Sequence, residues 1–229
     1  MFGGGRDSTR QFQGVFEGGM ENNDLTTGEL RRRRLIIGIS GATGAIYGIR
    51  MLQILKSAPE VETHLVMSKA AERTITFETE MTIKQVRDLA DASYNILDIG
   101  ATISSGSFPV EGMVVAPCSM KTLSAVATSL SVDLLSRAAD VTLKEGRRLV
   151  LLVREAPLHL GHLKLMVQAA EIGATIVPPV PAFYNFPKTL DDVVNHTVGR
   201  VLDLFHLDMD IVKRWQGMQG PAKAGEPSS

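Results

Sequence analysis

Cysteine occurs once in the 229 residues, at Cys118, which excludes an internal disulfide framework and a cysteine-rich metal site. Such usage fits a reducing compartment, and the cytoplasm is the expected location. Surplus charge is also missing. The 24 Lys and Arg stand against 25 Asp and Glu, a formal net charge of -1, so no excess of cations exists to track a nucleic-acid backbone. Any cationic chemistry must be local. No apolar run approaches the roughly 20 residues that a membrane-spanning helix needs, and the first residues lack the apolar centre of a secretory signal. What the chain does have is 44% hydrophobic residues, enough for the core of one full domain.

Residues 1–33 are rich in Gly, Asn, Asp and Thr without a sustained apolar period and are expected to form a disordered leader. The arginine run 31–34 follows the acidic residues Glu17, Glu21, Asp24 and Glu29 and is expected to be a solvated lead-in rather than a nucleic-acid patch. The domain proper is expected over 34–216, with a flexible tail at 217–229.

From residue 35 short apolar runs alternate with helical periods. "LIIGI" (35–39), "ETHLVM" (62–67), "MVVAP" (113–117), "LVLLV" (149–153) and "ATIVP" (174–178) are the predicted strands, several of them apolar on both faces as in a parallel sheet covered on both sides. Helical periods are predicted over 44–57, 120–130, 133–145, 158–172 and 189–206. The fold class is therefore α/β, a doubly wound and mainly parallel sheet in a single domain. "SSGSF" (104–108) and "VPPVPAFYNFPK" (177–188) interrupt the alternation and are predicted loops, where sites are commonly carried.

Directly after the first strand, "GISGATG" (38–44) places three glycines three apart, before a helix whose first turn is predicted near Thr43–Ala45. Backbone N–H groups and the helix dipole would face an anion there, although a plain tight turn would need the same glycines. The spacing is not the G-x-G-x-x-G of dinucleotide sites. Ser68 stands near the end of the second strand, where an NAD site wants an acid, so a mononucleotide suits the pattern better. "PCSMKT" repeats the logic after the third predicted strand, with Ser119, Lys121 and Thr122 at a helix start. Cys118 beside them has no adjacent base and suits the core better than nucleophilic work.

Arg137 and Lys144 lie seven apart on one helix face, as solvated charges or as part of an anion site. Arg154 and Glu155 end a strand, where α/β active sites lie. Tyr184, Arg200 and Trp215 add aromatic faces and a further guanidinium. His159 and His162, spaced i, i+3 in an apolar context without a carboxylate in register, suit packing or capping better than metal ligation.

Together "GISGATGAIYG", "THLVMSKAA", "SSGSF", "PCSMKTLSAVAT", "RAADVTLKEGRRLVLLVREAPLHLGHL" and "PPVPAFYNFP" resemble the UbiX/Pad family of flavin prenyltransferases, in order and spacing, from about residue 35 to Trp215. The resemblance implies a flavodoxin-like Rossmann fold, a dodecamer with active sites at subunit contacts, and a metal-independent reaction. Dimethylallyl monophosphate and reduced FMN would combine, phosphate would leave, and N5 and C6 of the flavin would receive the prenyl group. Prenylated FMN then serves UbiD-type decarboxylases, as in ubiquinone biosynthesis or aromatic acid decarboxylation.

Carried onto this sequence, the family's FMN contacts fall on Gly41, Ala42, Thr43, Ser68, Ser119, Met120, Lys121, Thr122 and Arg154. Its prenyl phosphate contacts fall on Lys144, Arg154, Glu155, Tyr184 and Arg200, with Arg137 nearby and Trp215 in the same substrate-binding set. The resemblance makes Glu155, Lys144, Thr43 and Glu78, the last in "TFETEM", the catalytic group. Thr43 departs from the serine of many members: the hydroxyl is kept on a stiffer, β-branched side chain. Two other readings are a non-catalytic FMN-binding subunit of an aromatic acid decarboxylase complex and a phosphopantothenoylcysteine-type decarboxylase. The first has no use for Lys144, Glu155, Tyr184 and Arg200 together, and the second's "PxMNxxMW" clamp has no counterpart in this sequence.

Overall fold

The computed structural model describes residues 32–211. The expected leader, apart from Arg32 and Arg33, and the expected tail at 217–229 lie outside the described residues, as does Trp215.

Six strands, β1 (Arg33–Ile39), β2 (Val61–Met67), β3 (Ala92–Tyr94), β4 (Gly112–Cys118), β5 (Arg148–Val153) and β6 (Ala174–Ile176), form one parallel sheet in the order β3-β2-β1-β4-β5-β6. Between them run α1 (Ile46–Leu55), α2 (Lys69–Glu78), α3 (Ile83–Arg87), a 3₁₀ turn at Thr102–Ser104, α4 (Met120–Ala127), α5 (Leu134–Lys144), α6 (Leu160–Glu171) and α7 (Leu190–Asp203). With the three-residue edge strand β3 set aside, the order is that of flavodoxin; with β3 it is the six-strand Rossmann order. All five predicted strands are present, and β3, α2 and α3 are additions.

The apolar runs explain the layers. Successive strand residues face opposite sides of a sheet, so Ile37 joins Ile49, Leu52 and Val198 under α1 and α7, while Ile36 joins Met113, Leu123 and Leu135 under α4 and α5. Both faces being covered, β1 from Leu35 onward is buried along its whole length, as parallel strands usually are.

The arginine run is not only a solvated lead-in. Arg33 is already in β1, with its guanidinium donating to the Phe205 carbonyl at 2.7 Å and pairing with Glu111 at 3.2 Å. Arg34 pairs with Glu62 at 3.0 Å and lies over the Phe108 ring, and Arg32 pairs with Asp91 at 2.9 Å. These arginines tie the first strand to its neighbours. Their carboxylate partners lie 28 to 78 residues away in sequence, which is why the run alone reads as solvated.

In a parallel sheet all strand C-termini share one edge. β1 leads into α1 on one face and β4 into α4 on the other, so a crevice opens between them at the C-terminal edge, the usual ligand position in such folds.

Candidate active site

The crevice is walled by four turns that follow β1, β2, β4 and β5, and hydrogen bonds join each turn to the next strand. The Ser68 amide donates to the Ile39 carbonyl at 3.0 Å, the Ser40 amide to the Pro117 carbonyl at 3.2 Å, and the Arg154 amide to the Cys118 carbonyl at 3.0 Å. Proline at 117 has no N–H for the ladder, and the β4–β5 register shifts between Val115 and Cys118. Its carbonyl is thus turned toward Ser40, whose hydroxyl donates to it at 2.8 Å and accepts from the Ser119 amide at 2.7 Å. Ser40 is fully buried.

The glycine loop fits tightly. A Cβ at Gly41 would stand 2.2 Å from the Cβ of Ala70 in the first turn of α2, and Gly44 has φ +93°, a left-handed conformation that favours glycine. The anion at the N-terminus of α1 is the chain's own. One carboxylate oxygen of Glu78, the last residue of α2, accepts from the Gly44 amide at 2.9 Å and from the Ala45 amide at 3.1 Å. The expected attraction for negative charge is present there, but it holds a side chain. Thr43 is exposed in the same loop.

The other two helix starts are built from serine caps. Ser68 accepts from the Ala71 amide at 3.1 Å and Ser119 from the Thr122 amide at 3.3 Å, while the Ser119 hydroxyl donates to the Thr122 hydroxyl at 3.2 Å. Met120 is half-buried against the core at the first position of α4, and Lys121 is exposed beside it. Cys118 is wholly buried, and burial pushes its thiol far above the usual range. This accords with a core cysteine.

Arg154 and Glu155 emerge exposed directly after β5. Arg154 has no ion pair among the described residues, whereas Glu155 accepts from the Ala156 amide at 3.0 Å. Tyr47 of α1 stands close enough to Arg154 to feel its charge. Burial raises the Tyr47 phenol, and the Thr197 hydroxyl and Arg154 oppose that rise. Tyr184, in the loop 177–188, lies with its hydroxyl 3.0 Å from Nε2 of His196 in α7. Arg200, one turn further along α7, pairs with Asp203 at 2.7 Å. Tyr47, His196 and Ser40 are additions to the residues that the sequence singled out.

The cationic residues do not all meet within the single chain. Arg137 lies in the first turn of α5 and pairs with Asp140 at 3.0 Å. Lys144 ends that helix, pairs with Glu145 at 2.7 Å and lies beside Gly106. It precedes β5 while Arg154 follows it, so the length of the strand, about 20 Å for six residues, separates them. A cleft of about 530 Å³ lies at the same N-terminal sheet edge, between Arg33, Arg147, Arg148 and His206. Arg33 and Arg147 donate there to backbone carbonyls and so hold the walls together. His159 caps α6, its Nδ1 accepting from the Gly161 amide at 3.0 Å, and the His162 ring packs against it at a tilt of 34°.

The donor set fits FMN. Ser68, Ser119 and Thr122 present hydroxyls at two helix N-termini, Gly41 leaves room that a Cβ would fill, and Arg154, which has no ion pair among the described residues, supplies positive charge. A flavin phosphate would be held by these residues rather than by the Gly44 and Ala45 amides, which Glu78 already engages.

Known proteins resemble this chain over most of its length. The family model described as Flavoprotein matches residues 24–202. Flavin prenyltransferase UbiX of Salmonella typhimurium is 61% identical over 187 residues, 81% of this chain and 99% of that one. Its counterpart in Thauera aromatica is 58% identical over 184 residues, 80% of this chain and 94% of the relative. Among solved structures, AnUbiX in complex with FMN and dimethylallyl pyrophosphate has a TM-score of 0.81 at 52% identity, over 82% of this chain and all of that one. A dodecameric FMN-dependent UbiX-like decarboxylase from Escherichia coli O157:H7 has a TM-score of 0.79 at 54% identity, over 80% and 100%. At these identities and coverages, the chain belongs to the UbiX family of flavin prenyltransferases.

Proposed function

We propose that this protein transfers a dimethylallyl group from dimethylallyl monophosphate to N5 and C6 of reduced FMN, releasing phosphate and giving prenylated FMN for a UbiD-type decarboxylase. The observation that carries the reading is the meeting, at one sheet edge, of the serine-capped starts of α2 and α4 with the exposed pair Arg154 and Glu155. One feature suits the phosphate of a mononucleotide and the other a second anion. Reduced FMN, when bound, supplies the electron-rich acceptor for the prenyl group.

The chain's own residues have defined tasks in this scheme. Ser68, Ser119 and Thr122 hold the flavin phosphate, with Met120, Lys121, Gly41, Ala42 and Thr43 along the same wall. Arg154 reaches toward both anions. As the allylic C–O bond breaks, negative charge grows on the departing phosphate, and preorganised cations lower that barrier where water is excluded. Glu155 is placed to pass a proton to or from the phosphate. Tyr184 and Arg200 hold the same group from α7 and its preceding loop, and Glu78 fixes the loop that presents Thr43.

Lys144 lies at the far sheet edge of its own protomer and enters this scheme from a neighbouring copy, with Arg137 near the same contact. Exposed apolar side chains such as Phe77 (89% exposed) and Leu190 (85%) are what a multi-subunit assembly would cover, and a dodecamer is the proposed state. No helix among the described residues is long and apolar enough to cross a membrane. The proposed location is the cytoplasm, in keeping with the single buried thiol.

Anaerobic incubation of the pure protein with reduced FMN and dimethylallyl monophosphate, followed by mass spectrometry of the flavin, tests the reading. A flavin heavier by one dimethylallyl unit is expected. Unmodified FMN alone, recovered from protein shown to bind it, would leave only a flavin-binding subunit. A parallel reaction with dimethylallyl pyrophosphate measures the preference between donors.

A further inference from the structure

Three guanidinium groups and one carboxylate line the cleft at the N-terminal edge of the sheet, Arg33, Arg147 and Arg148 against Glu111. The reaction scheme uses none of them. At about 530 Å³ the cleft falls within the size range of small-molecule sites, about 300–1,000 Å³. Lys144, which the scheme sends to a neighbouring copy, is not part of its wall.

The partner of each charge decides what the cleft can hold. Arg147 donates to the Gly106 and Phe108 carbonyls at 2.8 and 2.9 Å, and Arg33 donates to the Phe205 carbonyl at 2.7 Å. Carbonyls are neutral, so these bonds fix the guanidinium groups without cancelling their charge. Only Arg33 meets a carboxylate, that of Glu111 at 3.2 Å, with both side chains partly exposed. Arg148 is exposed, and its side chain has neither a hydrogen bond nor an ion pair among the described residues. Its guanidinium carbon lies 5.9 Å from the centroid of the buried Phe205 ring, which steadies the charge without neutralising it. Gly112 makes room for this contact. A Cβ there would stand 2.9 Å from the Phe205 ring and 2.2 Å from the Arg148 carbonyl.

Helix ends work against an anion at this edge, because α5 and α6 finish here and a bare C-terminus is electronegative. Gly146 and Gly173 close them. With φ of +65° and +106°, they donate to the Leu143 and Ala170 carbonyls at 2.9 and 3.0 Å. They also leave the rim low: a Cβ at Gly146 would meet nothing within 4 Å. Thr175, exposed on β6, adds a hydroxyl to the wall.

We propose that this cleft is a second anion site, which takes the phosphate group of a small molecule between Arg148 and Arg33 while Arg147 holds one wall. Once Glu111 is set against one guanidinium, two remain, and a phosphate carries a charge of about −1.5 to −2 near neutral pH. A carboxylate carries only one. The planar fork of an arginine also grips two phosphate oxygens at once. The site lies at the opposite sheet edge from the flavin crevice, so the inference does not depend on the prenyltransferase reading.

Calorimetry on the full-length protein carrying FMN tests it, with inorganic phosphate in one arm and ribose 5-phosphate in the other, at fixed ionic strength. The crevice is the other place where phosphate can bind, so the readout is the difference between variants. Arg148→Met keeps an apolar stem without the charge, at an exposed position. It is expected to weaken binding of one anion per chain about tenfold or more, with FMN affinity and prenyl transfer unchanged. Arg148→Lys, which keeps the charge but not the fork, should lose about threefold. Glu111→Gln removes the opposing carboxylate and releases Arg33, so it should bind about threefold more tightly, a gain that damaged packing would not give.

Phosphate binding equal in Arg148→Met and wild type, weaker binding in Glu111→Gln, or acetate binding as tight as phosphate would each overturn the inference. Tighter binding of ribose 5-phosphate identifies a phosphate ester as the ligand, and tighter binding of inorganic phosphate identifies the free anion. Loss of prenyl transfer in Arg148→Met with phosphate binding retained would move Arg148 to the reaction instead. A wild type that makes no prenylated flavin would end the proposed function and leave this inference to the affinities.

Discussion

The Ser40 hydroxyl oxygen accepts from the Ser119 amide at 2.7 Å while donating to the Pro117 carbonyl at 2.8 Å, so one fully buried side chain joins the turn after β1 to the turn after β4. These turns flank the point where the sheet changes direction, and their spacing sets the width of the crevice. Ser119 in turn caps α4, so the bond also fixes where that helix begins.

Ser40→Ala should therefore act on both fold and ligand. The part-buried Ser119 amide and the Pro117 carbonyl would lose their shared partner, a loss of about 1–3 kcal/mol in stability. Flavin affinity is expected to fall about tenfold as the start of α4 shifts. Urea unfolding and the quenching of FMN fluorescence measure the two effects. A variant as stable as the wild type with undiminished FMN affinity would show that the two turns hold their spacing without Ser40.

Glu78 offers a sharper test, because its carboxylate sits on amides that would otherwise seek an anion. In Glu78→Ala the Gly44 and Ala45 amides lose their acceptor, and the favourable charge at the α1 N-terminus goes with it, a cost of about 1 kcal/mol. Inorganic sulfate or phosphate should then raise the melting temperature of the variant more than that of the wild type, at matched ionic strength. An equal response in both proteins would mean that the amides do not form an anion seat once vacated.

These two contacts also show what the sequence could and could not convey. β1, β4 and β5 were legible because strands buried on both faces need near-continuous apolar runs, whereas β2, interrupted by Glu62, Thr63 and His64, and the edge strand β6, with Thr175 exposed, showed as shorter runs. The edge strand β3 is only "ASY", with no run to see. α2 was hidden because just Ala71 and Ile75 are buried in it, although Ser68 with Glu72 in the first turn was a usable start signal. Arg154, Glu155, Ser119 and Thr122 stand beside the strand ends that position them and could be found from the pattern. Ser40 acts through residues 77 and 79 positions away and His196 touches one 12 positions away, distances at which sequence spacing carries no geometry. The placing of Lys144 depends on the direction of α5 relative to β5, which the pattern implied only once the sheet order was known.

Cys118 lies at the crevice wall yet is wholly buried, and desolvation disfavours its thiolate. The native protein should resist iodoacetamide at neutral pH and become reactive on unfolding in urea. Cys118→Ala is expected to keep prenyl transfer within about twofold, since no step needs a nucleophilic sulfur. Rapid alkylation of the folded protein, or a large loss of turnover in a variant that still binds FMN, would return the thiol to the mechanism.

The separation of Lys144 from Arg154 by the length of β5 leads to a test of shared sites. If each active site takes Lys144 and Arg154 from different protomers, neither Lys144→Ala nor Arg154→Ala homo-oligomers should turn over, but mixing them should create some intact sites. Random assembly of equal amounts gives about one fully wild-type site in four, and turnover should recover to about that fraction of the native rate. Recovery should require unfolding and reassembly, or co-expression with two different tags, because stable oligomers do not exchange freely. Mixed oligomers that form in the expected ratio and remain inactive would place both residues in one protomer's site, or Lys144 outside the chemistry altogether. Recovery would show that the two ends of the same sheet serve different active sites.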